Sequence, residues 1–135
     1  MIKKTVKYVD YDGNERQEDF WFHLNKAELA EMELGQAGGL SKTLQRMIDS
    51  QDGPELMKMF KDIILKSYGK KSDDGRRFIK KPELIEDFVQ TEAYSQIYME
   101  LATNTDAIIE FVNGIMPSDM KMDDPKTAIA NFKSE

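Results

Sequence analysis

Apolar positions along this chain follow two different periods, and the change between them marks the plan of the protein. Residues 2–9 alternate, with Ile2, Val6 and Tyr8 separated by Lys3, Thr5 and Lys7, which predicts a strand. Asp12-Gly13-Asn14 is a hairpin turn signal, because glycine tolerates the positive φ that a tight turn requires. The return strand is expected over Glu15–Leu24, with Phe20, Phe22 and Leu24 on one side and Trp21 and His23 on the other. Two strands alone are marginal, so the hairpin should dock on helices or pair with another chain, leaving an exposed edge as an assembly surface.

From Asn25 onward the period is helical. Asn25 and Glu28 have the spacing of a reciprocal capping box, opening a short helix over Ala27–Leu34 that Gly35, Gly38 and Gly39 interrupt. A second helix is expected over Leu40–Ser50, with Leu40, Leu44, Met47 and Ile48 on one side. Asp52-Gly53-Pro54-Glu55 is a start signal for Pro54–Tyr68. Its apolar positions cover so wide an arc that a central helix, contacted on two sides, is expected there. Gly69 should end it, and Gly69–Arg77 reads as a charged turn around Asp74-Gly75, with Arg76–Ile79 briefly extended. Pro82 starts a helix carrying Leu84, Ile85, Phe88 and Val89. Thr91 caps another with Tyr94, Ile97, Tyr98 and Leu101. Thr103–Asp106 is a polar break before a last apolar face of Ile108, Ile109, Phe111, Val112, Ile115 and Met116, closed by Pro117.

The pattern predicts a mostly α-helical α+β fold. One domain spans 1–117, its N-terminal hairpin (1–24) packed on a bundle of roughly five or six short helices. Residues 118–135 read as a flexible acidic tail, with a short helix at Thr127–Phe132 that orders on binding.

Charge and composition narrow the function. A formal charge of −6 disfavours sequence-independent nucleic-acid binding, which depends on neutralising phosphates. The local basic cluster Lys70-Lys71, Arg76-Arg77, Lys80-Lys81 is diluted by Asp73, Asp74 and Glu83 and reads as a solvated turn. No apolar run approaches membrane-spanning length, and the N-terminus lacks a signal-peptide pattern. Without cysteine there is neither a disulfide framework nor a thiolate metal site, and the chain reads as cytosolic.

Candidate chemistry is sparse. His23 is the sole histidine, and its strand setting favours a surface or packed ring over a base or ligand. Asp10–Asn14 looks like a calcium loop, but Gly13 and Trp21 fall at the wrong positions for one. No phosphate loop, dinucleotide fingerprint or nucleophile elbow occurs, and the carboxylate pairs Glu31/Glu33 and Glu86/Asp87 belong to polar faces. No residue is assigned a catalytic, cofactor-binding or metal-ligating role. Methionine is the remaining signal. There are nine, and Met120 and Met122 fall in the tail, outside any core.

Several runs carry a resemblance: Tyr8–Asn14, Phe20-Trp21-Phe22, Leu24–Glu28, Met32-Glu33-Leu34 with Gly38-Gly39-Leu40, and Phe60–Gly69. Asp74–Lys80, Thr91–Ser95 and Phe111–Pro117 complete it. From Tyr8 to Pro117 the chain resembles the tail assembly chaperones of long-tailed bacteriophages of Gram-positive hosts. The resemblance implies a non-enzymatic, cofactor-free protein of the host cytoplasm, not expected in the mature virion. It implies the tape measure protein as partner, kept soluble while tail-tube subunits polymerise around it. It also admits the tail tube protein as a second partner, and self-association. Many members of the family are made in two forms, the longer extended by a programmed frameshift near the end of the short reading frame; residues 118–135 are where this chain is least like the family. The alternative reading is a small non-enzymatic adaptor or regulator of phage origin. Apolar surplus on two helices nominates Met57, Met59, Ile64, Phe111 and Met116 as partner contacts.

Overall fold

A computed structural model describes residues 1–35 and 53–117, together with positions 42, 45, 46 and 49, which are helical. Strands β1 (Ile2–Val9) and β2 (Glu15–Phe22) form the expected hairpin, with Ile2 opposite Phe22 and Val9 opposite Glu15. The turn is held by Asp10, whose carboxylate accepts the backbone N–H groups of Asp12 and Asn14, while Gly13 takes φ +85°. Helix α1 (Lys26–Gly35) follows, opened by the capping box: Asn25 Oδ1 accepts Glu28 N–H at 2.8 Å and Glu28 Oε1 accepts Asn25 N–H at 2.9 Å. The expected helix Leu40–Ser50 falls largely outside the described residues, and the tail 118–135 wholly so.

Helix α2 (Gly53–Ser67) corrects the sequence reading at its end. Tyr68 is the first residue of strand β3 (Tyr68–Lys71), which pairs with β2 through Trp21–Gly69 and Phe22–Tyr68 and with β4 (Phe78–Ile79) on its other side. The helix runs into the strand without a loop because buried Ser67 turns its hydroxyl back onto the carbonyls of Ile63 (2.7 Å) and Ile64 (3.1 Å). The backbone carbonyl of Ser67 meanwhile accepts His23 N–H at 2.7 Å. The supposed charged turn is therefore a second hairpin, and the sheet has four strands in the order β1-β2-β3-β4. Its tight part is Ser72–Arg77, with Gly75 at φ +75°.

Helices α3 (Pro82–Val89), α4 (Glu92–Thr103) and α5 (Thr105–Ile115) start where the sequence places them. Thr91 Oγ1 caps α4 and Asn104 Oδ1 caps α5. Among the described residues the most buried helix is α5, not the 54–68 segment expected to be central. Ala107, Ile108, Ile109, Phe111, Val112 and Ile115 are all interior, whereas α2 buries only Phe60, Ile63, Ile64 and Ser67. The reason lies in polarity. Between Ala107 and Ile115, α5 carries only Glu110 and Asn113 as charged or amide residues, while α2 carries three lysines and two acids along its length. An aromatic cluster joins sheet and helices. Phe88 of α3 lies 4.2 Å centroid to centroid from Tyr68 in a stacked pair, 5.3 Å from Phe20 and 5.9 Å from Phe22, and Phe22 meets Phe111 of α5 at 5.1 Å.

Candidate protein-binding surfaces

The nominated contact residues do not form one face. Ile64, Phe111 and Met116 are interior, Ile64 and Phe111 with no exposed surface at all, and belong to the core shared by α2, α5 and the sheet. The helical period could not separate them from surface residues, since core and binding face share the same spacing on an amphipathic helix. Met57 and Met59 stand apart. Met57 is 56% exposed on α2, while Met59, half-buried on another side of the helix, lines a cavity of about 310 Å³ with Gln45, Arg46, Asp49 and Glu55. A flexible, polarizable side chain held out to solvent, as Met57 is, can adapt to an apolar surface.

The solvent face of the sheet carries a second feature. Trp21, half-buried, lies between Lys3 and Lys71, whose ammonium groups are 5.7 and 5.0 Å from its ring. Phe78 on β4 lies against Gly69, and the His23 ring meets Phe78 edge-on at 6.2 Å. Strand β2 ends at Phe22, one residue before His23 and two short of the expected Leu24, and the His23 ring is packed against Phe78, a packed rather than ligating ring.

A third feature is the edge of β2. Because β3 pairs only with Trp21 and Phe22, Glu15–Phe20 have β1 as their single strand neighbour among the described residues. Beyond them opens a groove of about 220 Å³ between β2, β3 and α3. The edge expected from the hairpin is thus covered at one end and open along the rest.

Electrostatics at the hairpin are local. Tyr8 donates its phenol proton to Glu18, two positions further along β2 than its cross-strand partner Arg16, on the same face. That bond, aided by burial and the Glu18 charge, pushes the phenol up to about 12. Arg16 Nε donates to Asp10 Oδ2 at 2.6 Å and, with the turn N–H groups, holds the Asp10 carboxyl below its ordinary range.

Sequence reasoning missed Lys80. Read as part of a solvated basic cluster, its ammonium instead donates to the carbonyls of His23 and Lys66, each at 2.8 Å, and to Glu28 Oε2 at 2.5 Å. It joins the end of β2, the capping box of α1 and the last turn of α2, where a cation also complements the helix dipole. The other basic residues of that stretch do read as expected: Lys70, Lys71, Arg76 and Arg77 are exposed. No spacing rule could have singled out Lys80, because its three partners come from distant parts of the chain.

The described surface thus carries an exposed methionine on one helix, an open strand edge and a cation-flanked tryptophan. A model of the phage tail assembly chaperone family matches residues 1–131, while no curated protein and no solved structure matches the chain. With the match running through hairpin, sheet and every helix described, the chain belongs to the phage tail assembly chaperone family.

Proposed function

We propose that this protein binds the tape measure protein in the host cytoplasm and keeps it soluble while tail-tube subunits assemble around it, by binding and without catalysis. The observation that carries the reading is Met57: a large apolar side chain 56% exposed on the same stripe of α2 that buries Phe60 and Ile64 further along. A long, apolar, helical client can lay an amphipathic face on such a surface. Met59, half-buried on another side of the same helix, is a second contact on this reading, while Ile64, Phe111 and Met116 are interior and hold the fold together. The net charge of −6 keeps a complex of apolar surfaces dispersed. The tail tube protein and a second copy of the chain are further partners on this reading, and the 118–135 segment, with Met120 and Met122, supplies additional contact.

The experiment is co-expression with the tape measure protein of the same genome, followed by size-exclusion chromatography with light scattering. Co-elution in a defined ratio of a client that is insoluble alone supports the reading. A client that stays insoluble, with this protein eluting unchanged, sinks it and favours an adaptor that binds a folded partner.

A further inference from the structure

We propose that the uncovered edge of β2, Glu15–Phe20, takes an extended, lysine- or arginine-bearing segment of a partner protein as an added strand. This goes beyond client binding at α2, since it concerns another surface and a different mode of recognition.

The edge is open for a structural reason. The pairing of β3 with β2 stops at Gly69, and its next residues, Lys70 and Lys71, pair only with Ile79 and Phe78 of β4 on the other side. Backbone N–H and C=O groups along the free part of β2 are then available to any strand that enters beside it. The groove there has an aromatic floor of Phe20, Tyr68 and Phe88, all buried. Side chains of an added strand would alternate, one set toward that floor and the other toward Asp19 and Trp21 on the solvent face.

Charge selects the occupant. Among the described residues, Glu18, Asp19 and Asp87 line the groove with Lys70, and Lys71 stands over Trp21 at one end of it. The Tyr68 phenol registers the same field: burial raises it first, and Glu18 and Asp87 raise it further. A basic segment with apolar residues at alternate positions fits both floor and rim. The groove is also walled by β3 and α3, so a single free segment can enter where a strand already flanked by its own sheet, such as β1 of a second copy, would collide.

The probe is a blocked synthetic peptide alternating valine and lysine, as long as Glu15–Phe20. Binding is followed by fluorescence of Trp21, the only tryptophan, and by amide hydrogen exchange. Saturable binding with slowed exchange over Glu15–Phe20 is expected. It should weaken by about tenfold in Asp87→Lys and by less in Asp87→Asn. It should be abolished when alternate peptide amides are N-methylated, which removes strand pairing but keeps the charges. Unchanged exchange over Glu15–Phe20, or equal binding of the N-methylated peptide, overturns the proposal. So does protection of that edge in the free protein that rises with its own concentration, since a second copy would then be the occupant. If the tape measure protein co-elutes while the edge stays unprotected, only this inference fails.

Discussion

The Phe78 ring lies so close to Gly69 that a Cβ on Gly69 would stand 2.7 Å from Cε2 of the ring and 2.8 Å from the Ile79 carbonyl oxygen. Glycine here serves close approach, not helix termination: it lets β4 press onto β3. Gly69→Ala must push backbone as well as ring. It should destabilise the fold by about 1–3 kcal/mol, read as a lower denaturant midpoint. A midpoint equal to the wild type would show that the β3–β4 hairpin yields freely.

Lys80 is expected to matter more than its neighbours. Lys80→Met keeps the aliphatic stem but strips a charged donor from Glu28 and from two backbone carbonyls. A loss of about 2–3 kcal/mol is expected, against less than about 0.5 kcal/mol for Arg76→Met in the exposed turn. Paired chemical denaturation curves decide between them.

Alkaline pH should weaken the fold before it reaches the folded-state phenols. Tyr8 loses its proton near 10.0 when unfolded and near 12 when folded. Its contribution is therefore complete below 10 and falls away as pH rises toward 12, where the unfolded chain binds fewer protons. Tyr68 and Tyr94, raised mainly by burial, act in the same sense. Tyr8→Phe should flatten this limb of the stability–pH curve.

At acid pH the sign reverses. The Asp10 and Asp74 carboxyls lie below their ordinary 3.8, Asp10 chiefly through Arg16 and Asp74 chiefly through the Ser72 hydroxyl. Their stabilisation is present above 3.8 and is lost as pH falls through the lower folded-state values. Asp10→Asn should reduce the acid dependence, measured by urea melts across that range.

The two classes of nominated contact residue should separate cleanly. Met57→Glu is expected to leave stability within about 0.5 kcal/mol and to weaken client binding by tenfold or more, about 1.4 kcal/mol. Phe111→Ala should cost about 3–5 kcal/mol of stability through the cavity it leaves beside Phe22. Thermal melts and pull-down of the tape measure protein read both.

The sequence by itself determined the parts whose signals are local. The hairpin follows from alternation around Gly13, and the helix starts follow from Asn25, Pro82, Thr91 and Asn104, since a cap or turn is satisfied within a few residues. Alternation likewise put Phe20, Phe22 and Leu24 inside. Tertiary structure alone decided what depends on distant partners. Tyr68 left the helical pattern because β2 and the Phe88 ring hold it in a strand, a pairing invisible in Tyr-Gly-Lys-Lys. Lys80 became a junction because two carbonyls and a carboxylate from elsewhere converge on it. Met57 and Ile64 share one helical pattern, yet one faces solvent and the other is sealed, because periodicity fixes an apolar stripe and only the neighbouring elements determine how much of it they cover.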